Sequence, residues 1–372
     1  MPWMGSVMEQ RREFVRLAML EGANRRELCR RFGISRDVGY KWLARWASGD
    51  YELGDRSRRP IGSPARCDAK LEAKVVAIRD AHPAWGARKI GRILENKGIE
   101  PPAVSTIQEI LRRHGRIASE RSKQAKRLGR FEKEAPNLLW QMDYKGWVTL
   151  TDGTRVHPLT VVDDHSRYGM CLKACTNQQT ETVQEHLETT FRRHGLPDGI
   201  YVDNGSPWGD SSGQRWTRLS VWLLKLGIEV VYATPYHPQG RGKNERFHRT
   251  LNEEVLALRP FTKLSQMQHA FDAWLEIYNF ERPHDALGLE VPAKRYSPSS
   301  RAMPAKLPKV EYDQGTIVRS ISRATAFISF RGRTWNVPKA FRGERVAIRP
   351  LDADGRFGVY FASYRIAEID CR

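Results

Sequence analysis

Apolar positions in this chain follow three spacings in turn, and each spacing predicts a different kind of structure. In residues 7–46 and 68–114 they recur every three or four positions, in short stretches that end near glycine or proline. This spacing is typical of short amphipathic helices, and each region predicts three of them. The tight Phe32–Ser35 link, in which Ser35 can cap the following helix, is typical of a helix-turn-helix.

From residue 137 the apolar residues form short dense runs that alternate with polar turns and with helical stretches at 181–194 and 217–226. Three runs come first as hairpins, and helices and strands then alternate. This order predicts a mixed α/β sheet with helices on both faces. The strand-like runs are Leu138–Tyr144, Leu159–Val162, Tyr168–Leu172, Gly199–Val202 and Ile228–Tyr232.

The last sixty or so residues have the third spacing, an alternation of apolar and polar positions. They follow a proline-rich stretch at 292–308, and Arg331-Gly332 and Asp354-Gly355 are suited to hairpin turns. Short strands joined by hairpins are therefore predicted here.

Together the patterns predict a multidomain protein with two N-terminal all-α helix-turn-helix units, an α/β mixed-sheet core and a small all-β domain. A basic linker joins the second helical unit to the core. The predicted bounds are 1–50 and 65–116 for the two DNA-binding units, 117–136 for the linker, 137–297 for the core and 312–372 for the β domain.

The charge of the chain indicates the kind of partner that these domains bind. Lys and Arg number 62 against 43 Asp and Glu, a formal net charge of +19, which points to a polyanion such as double-stranded DNA. On the third predicted helix Arg36, Tyr40, Lys41 and Arg45 would face outward and suit contacts with bases and phosphates. The alternative is an ordinary three-helix bundle with a basic surface.

Several classes of protein are disfavoured. No apolar run approaches the length of a membrane span, and the N-terminus lacks the apolar region of a signal peptide, so no membrane partner is expected. The five cysteines are scattered, and no Cys/His set has zinc-finger spacing. A cytoplasmic protein with reduced thiols is expected.

Candidate chemistry lies at the ends of two predicted strands. Asp143 and Asp203 come late in apolar runs, where a carboxylate is costly unless it is hydrogen-bonded or bound to a cation. Glu245 begins a helix in which Phe247, Leu251, Val255 and Leu258 form the predicted apolar side. The alternatives are turn or cap residues for the aspartates and a solvated helix face for Glu245.

Three carboxylates without His or Cys make a hard-oxygen site, which suits Mg²⁺ or Mn²⁺. Two such ions about 3.5–4 Å apart can activate an attacking oxygen and stabilise the leaving oxygen of a phosphodiester. Asp163 and Asp164 lie in a predicted hairpin turn, where Asp is common, and are interpreted as turn residues. His237 is suited equally to DNA contact, proton transfer or packing.

The motifs Trp140–Asp143, Val202–Gly205 and Pro238-Gln239-Gly240 followed by Glu245 resemble the DDE motif of insertion-sequence transposases with a retroviral-integrase-type core. The segment Tyr278–His284 resembles the part of the bacterial members that follows the core. This resemblance implies an RNase H-like fold. It also implies that Asp143, Asp203 and Glu245 are catalytic and bind two divalent metal ions.

The resemblance also implies contacts with DNA around the glutamate. The loop residue that touches substrate falls at Arg241, and the basic residue one helical turn past the glutamate falls at Arg249. Lys243, between them, is expected to contact DNA as well. The second helical position, often basic in integrases, is Asn252.

Two further expectations come from the resemblance. The interval between Asp203 and Glu245 is longer than usual, and the polar stretch Trp208–Thr217 is the expected insertion. The all-β end is expected to be an SH3-like barrel, either a structural cap or a surface that binds DNA or a subunit through Arg331, Arg333 and Arg345.

The function that these features predict is a DNA transposase. It would bind the terminal repeats of a mobile element, hydrolyse a phosphodiester to free a 3′-hydroxyl, and transfer that end into target DNA as a homodimer or higher oligomer. The alternatives are a non-catalytic DNA-binding regulator with a degenerate core, and an RNase H-like nuclease that does not join strands.

Overall fold

The structure, a computed structural model, divides into two compact units, Met1–Cys67 and Asp68–Arg372. The three later predicted domains all belong to the second unit, and most of the predicted linker lies outside the described residues. No helix in the described ranges is long and apolar enough to cross a bilayer. The structure describes residues 6–56, 67–117, 132–209, 215–233 and 242–372.

The first unit is a bundle of three helices around a small aromatic core. Phe14 is fully buried, and a Cβ built on Gly39 would lie 2.8 Å from its ring, so the helices cross where only a glycine fits. The Ser35 hydroxyl accepts the Val38 N–H at 3.3 Å, which confirms the predicted cap and helix-turn-helix. The helices are α1 (Val7–Ala18), α2 (Arg25–Arg31) and α3 (Arg36–Ala47).

A second three-helix bundle begins the second unit, as predicted. Val75, Ile90 and Ile107, one from each helix, are fully buried. The bundle also buries the Glu72 carboxylate, which accepts a hydrogen bond from Arg113 at 2.6 Å. The helices are α4 (Ala69–Ala81), α5 (Ala87–Asn96) and α6 (Val104–Arg113).

The core contains a six-stranded mixed sheet. Its order is β2-β3-β1-β5-β6, with β4 also paired to β3. The β1–β3 and β3–β4 pairs are antiparallel, and the β1–β5 and β5–β6 pairs are parallel. The strands are β1 (Trp140–Tyr144), β2 (Val148–Thr149), β3 (Arg155–Asp163), β4 (Gly169–Cys175), β5 (Gly199–Val202) and β6 (Glu229–Tyr232).

Helices cover both faces of this sheet, as predicted. Trp140 and Met142 of β1 belong to the apolar cluster that includes the first helix pair, and Val162 of β3 belongs to the cluster that includes the second pair. Since Val162 is the register partner of Gln141, alternation directs Gln141 and Asp143 toward the second pair. The pairs are α7 (Thr180–His194) with α8 (Arg218–Lys225), and α9 (Gly242–Leu251) with α10 (Leu264–Glu276).

Helix α8 is buried on two sides. Leu219 and Leu223 pack in the sheet cluster, whereas Val221 and Leu224 pack in the core of the C-terminal domain. Six consecutive residues are therefore buried, a pattern of helices enclosed by protein on all sides.

The C-terminal region is all-β, as predicted. It contains a four-stranded antiparallel sheet of order β12-β11-β10-β7 and a β8–β9 hairpin. Arg331 and Gly332 form the hairpin turn with positive φ angles of 48° and 71°. The strands are β7 (Ile317–Ser320), β8 (Phe327–Phe330), β9 (Arg333–Asn336), β10 (Arg345–Pro350), β11 (Arg356–Phe361) and β12 (Tyr364–Asp370).

The segment after α10 fastens β4 through a side-chain amide. Asn279, in a π-helical turn over Ile277–Glu281, accepts the Gly169 N–H at 2.8 Å and donates to the Gly169 carbonyl at 3.0 Å. Both residues are buried. The same segment holds a buried ion pair in which Arg282 donates to Glu254 at 2.8 Å.

Substitution Asn279→Ala should lower the free energy of unfolding by about 1–3 kcal/mol, because two buried hydrogen bonds are lost. Asn279→Asp should cost at least as much, since the donor amide is replaced by an oxygen that faces the Gly169 carbonyl. Denaturant unfolding would measure both, with the exposed Asn96→Ala as control. An Asn279→Ala protein as stable as the Asn96→Ala control would contradict this role.

Candidate active site

The register of two neighbouring parallel strands brings Asp143 and Asp203 together. Trp140 pairs with Ile200 and Gln141 with Tyr201. Two residues further along both strands, Asp143 comes opposite Asp203, and both side chains point to the same face. Adjacent strands lie about 4.8 Å apart, so the backbones of the two aspartates are expected to lie close together.

The backbone around Asp203 holds this position at the end of the strand. The Ala233 N–H donates to the Val202 carbonyl at 2.9 Å, which extends the β5–β6 pairing past the last strand residue. One Asp203 carboxylate oxygen accepts the Gly205 N–H at 2.9 Å. The acid therefore lies at the start of a turn and is half-buried.

Thr160 connects Asp143 to helix α9. It is the register partner of Asp143 on β3, and its hydroxyl donates to the Asp143 carbonyl at 2.9 Å. The His248 Nε2 lies 2.8 Å from the same hydroxyl oxygen. Burial, with a smaller effect from Lys145, lowers the pKa of His248 to about 4. The ring is thus neutral near pH 7, and its Nε2–H donates to Thr160.

Glu245 lies in the first turn of α9, three residues before His248. Residues three apart lie on the same side of a helix, so Glu245 lies one turn from the residue that contacts Thr160. Its side chain is exposed, whereas Phe247 on the neighbouring side is fully buried in the cluster beneath α9. The start of α9 therefore combines an exposed carboxylate with a buried aromatic side chain.

Asp143, Asp203 and Glu245 are candidate ligands of a divalent cation. In the described part of the chain, no three His, Cys, Asp or Glu side chains form a group that could hold a metal ion. The fit of an ion to this site therefore depends on the chemistry of the three carboxylates. Their chemistry fits a hard cation, since carboxylate oxygens are the ligands that Mg²⁺ prefers.

The neighbouring acids Asp163 and Asp164 already have protein donors. Asp163 accepts the Asn137 N–H at 2.8 Å and the Ser166 hydroxyl at 2.6 Å, and burial raises its pKa. Asp164 accepts the Gln141 amide at 2.8 Å and forms an ion pair with Lys243. Both lie where β3 turns toward β4, as the sequence predicted.

The pairing of Lys243 with Asp164 differs from the expected DNA contact. The Lys243 side chain is 13% exposed and the Asp164 side chain is fully buried. Burial lowers the pKa of Lys243, and the hydrogen bond to Asp164 opposes that change. The observed contact fastens the first turn of α9 to the β3–β4 turn.

Other predicted residues of the loop and helix fall in different places. Arg249 is exposed and lies 3.8 Å from Glu253, and Asn252 is exposed. Arg241 and His237 lie outside the described residues.

The prediction for Leu258 was wrong, since this side chain is 56% exposed. A π-helical turn over Asn252–Leu256 follows α9 and shifts the helical phase, so the apolar side ends at Val255.

The expected insertion between Asp203 and Glu245 is described at its two ends. Trp208 stacks on Tyr144 with 5.7 Å between ring centroids. Trp216 meets Phe341 of the C-terminal domain edge-on at 5.5 Å. Residues 210–214 lie outside the described ranges. Composition alone marked this stretch as polar and did not predict either aromatic contact.

On α3, three of the four predicted DNA-contact residues are exposed: Arg36, Tyr40 and Lys41. Arg45 differs, since its side chain is 11% exposed. It donates to the Asp50 carboxylate at 2.8 Å and to the Gly54 carbonyl at 2.6 Å. Arg45 therefore fastens the residues after α3, and helical periodicity could not show that such a partner follows the helix.

The three arginines singled out in the C-terminal region, Arg331, Arg333 and Arg345, are all exposed. The Arg331 guanidinium lies 4.5 Å from the centroid of the Phe357 ring, within the range of a cation–π contact. Their role in binding DNA or a subunit stays a prediction.

Family models match this chain in five regions. Integrase core domain models match residues 133–238 and 226–292, and a model of the C-terminal domain of the IS481 family of transposases matches residues 317–372. A helix-turn-helix domain model matches residues 10–61, and a homeodomain-like model matches residues 38–111.

Curated proteins with similar sequences come from a bacterium and from retroviruses. An insertion element IS407 uncharacterized 31.7 kDa protein of Burkholderia multivorans is 25% identical over 72% of this chain and 89% of its own length. The Gag-Pro-Pol polyprotein of mouse mammary tumor virus is 28% identical over 39% of this chain. The match spans 8% of that polyprotein.

Two solved structures align with this chain. A chain of the simian T-cell lymphotropic virus intasome, solved with the PP2A regulatory subunit B56 gamma, aligns over 80% of this chain and 95% of its own length, with a TM-score of 0.40 and 14% identity. The HTLV-2 integrase catalytic core domain in complex with magnesium aligns over 44% of this chain and 99% of its own length, with a TM-score of 0.34 and 16% identity.

The matched regions follow one another along the chain in the order helix-turn-helix, integrase core and transposase C-terminal domain. Their order agrees with the observed order of helical bundles, mixed sheet and all-β region. The chain thus combines helix-turn-helix and integrase core domains with a C-terminal domain of the type found in IS481-family transposases.

Proposed function

We propose that this chain is a DNA transposase that cuts and joins DNA with Asp143, Asp203 and Glu245 as its catalytic, metal-binding acids. The observation that carries the proposal is the parallel register of β1 and β5, from which Asp143 comes beside Asp203. The grouping of Glu245 with Asp143 is supported by His248, one helical turn after Glu245, which contacts Thr160, the register partner of Asp143. The three acids are far apart in the sequence, at positions 143, 203 and 245.

The proposed cofactor is a pair of Mg²⁺ or Mn²⁺ ions held by the three carboxylates. When bound, such ions stabilise the attacking and leaving oxygens of a phosphodiester. The all-oxygen character of the three acids supports a hard divalent cation here. The chain supplies a fixed scaffold for the acids, since Thr160 and His248 hold the Asp143 backbone and α9 in one arrangement.

The proposed reaction frees a 3′-hydroxyl at the end of a mobile element and joins it to target DNA. The exposed Arg36, Tyr40 and Lys41 on the recognition helix α3 suit contacts with the element ends. Two ends must be held together for joining, so a homodimer or higher oligomer on DNA is proposed. Arg249 at the site and Arg241 in the preceding loop are proposed to guide the DNA.

Two alternatives lead to different products. An RNase H-like nuclease would cut the element end but leave no joined product. A DNA-binding regulator with a degenerate core would bind the end and do neither. The side-by-side placement of two strand-end acids favours a catalytic role, because neighbouring like charges repel each other and a cation between them removes that repulsion.

Substitutions Asp143→Asn, Asp203→Asn and Glu245→Gln should abolish joining while binding to the element end persists. Loss of a metal ligand should remove several kcal/mol of transition-state stabilisation, at least about 100-fold in rate. A strand-transfer assay with the element's own ends and Mg²⁺ or Mn²⁺ would measure this. Glu276→Gln, which changes an exposed acid at the end of α10, is the matched control. Joining at the wild-type rate in the Asp203→Asn protein would exclude the proposed role.

Lys41→Ala and Arg45→Ala should affect different properties, DNA binding in the first case and stability in the second. Lys41→Ala should weaken DNA binding and reduce the slope of log affinity against log salt by about 0.9, with no change in stability. Arg45→Ala should lower the melting temperature of the protein, because the contacts to Asp50 and Gly54 are lost. Salt-dependent binding and thermal unfolding would separate the two; an altered salt slope and unaltered melting for Arg45→Ala would contradict its structural role.

Lys243→Met should destabilise the protein by about 3–5 kcal/mol, because the buried Asp164 carboxylate loses its cation. The double substitution Asp164→Asn with Lys243→Met should recover much of that loss, since no buried charge remains. Denaturant unfolding tests this. If Lys243 instead serves DNA, Lys243→Met will leave stability unchanged and weaken binding.

A further inference from the structure

Among the tryptophans that the structure describes, Trp147 alone is exposed. Its side chain is 61% accessible, whereas Trp140, at the start of the same stretch of chain, is fully buried in the sheet cluster. Trp147 lies four positions after Asp143, directly before β2. Tryptophan is enriched at binding interfaces, where its ring supplies a large apolar surface. The exposed ring is therefore a candidate contact with a partner.

The hairpin that carries Trp147 is fixed by backbone hydrogen bonds. The Lys145 N–H donates to the Pro158 carbonyl at 3.0 Å, and the Leu150 N–H donates to the Thr154 carbonyl at 2.9 Å. Gly146 turns the chain with a φ of +89°, a conformation that favours glycine. The indole is therefore presented by a rigid backbone.

A cation accompanies the ring. The Arg155 guanidinium lies 5.5 Å from the centroid of the Trp147 ring, within the range of a cation–π contact. Arg155 is itself exposed, and its register partner on β2 is Thr149. The pair thus combines an aromatic surface with a positive charge, the two features that proteins use to bind unstacked bases and their phosphates.

The hairpin directly follows the strand that carries Asp143. β1 ends at Tyr144, and Lys145 already belongs to the turn that leads to Trp147 and β2. Four residues of extended chain span at most about 14 Å, which limits the distance between the backbones of Asp143 and Trp147. A base within a few nucleotides of a reacting phosphate could reach the ring.

We propose that Trp147 stacks on an unstacked DNA base next to the reacting phosphodiester, with Arg155 beside it. This inference rests on the proposed function, because it places DNA at the acids. A protein partner is the competing occupant of an exposed tryptophan. The high positive charge of the chain and the adjacent arginine favour DNA.

The test uses element-end DNA with 2-aminopurine placed in turn at the bases beside the cleavage position. Wild-type protein should quench the fluorescence at one position, and Trp147→Ala should lose that quenching and bind ends with unpaired terminal bases about 5- to 100-fold more weakly. Trp147→Phe should retain part of both effects. Phe327→Ala, which removes an exposed aromatic residue from the C-terminal domain, is the control.

Equal quenching by the wild-type and Trp147→Ala proteins would overturn the inference. So would a Trp147→Ala protein that binds DNA normally but changes its oligomeric state, since the ring would then serve a protein interface. If Trp147→Ala does not fold, Trp147→Phe and Arg155→Ala decide by the same measurements. Wild-type quenching without any joined product would leave the stacking role intact and contradict the proposed function instead.

Discussion

The parallel pairing of β1 with β5 is the constraint on which the candidate site depends. Trp140 and Met142 are buried on one face of β1, so alternation directs Asp143 to the other face. A shift of one residue in the pairing register of β1 would place the Asp143 carboxylate among the apolar residues under α7 and α8. The apolar core therefore fixes the register, and the register fixes the distance between Asp143 and Asp203.

Helix α9 is positioned by contacts of a different kind. Phe247 supplies the apolar contact, Lys243 pairs with Asp164 at the first turn, and His248 meets the Thr160 hydroxyl. The acids near the site thus differ in the groups that they contact. Asp164 has protein donors that satisfy its charge, whereas Glu245 is exposed to solvent.

The elements that periodicity specifies were predicted well. The mixed sheet, the two helical bundles and the all-β end follow from the spacing of apolar residues, and the strand-end position of Asp143 follows from the same pattern. The structure differs from the predictions where a partner lies outside the predicted helix, or where the helix itself is irregular. Arg45 looked like a DNA contact because nothing in a helical pattern shows that Asp50 receives it. Leu258 looked buried because a regular helix was assumed through a π-helical turn.

The residues between Asp203 and Glu245 contact both the core sheet and the C-terminal domain. Trp208 stacks on Tyr144 at the end of β1, and Trp216 contacts Phe341 of the C-terminal domain. Within this interval, α8 also contributes Val221 and Leu224 to the core of that domain. A domain on a loose tether would leave this side of α8 in water, at a cost of about 1.5–3 kcal/mol for each large apolar side chain. The residues between Asp203 and Glu245 therefore connect the end of β1 to a domain that is packed as part of the same unit.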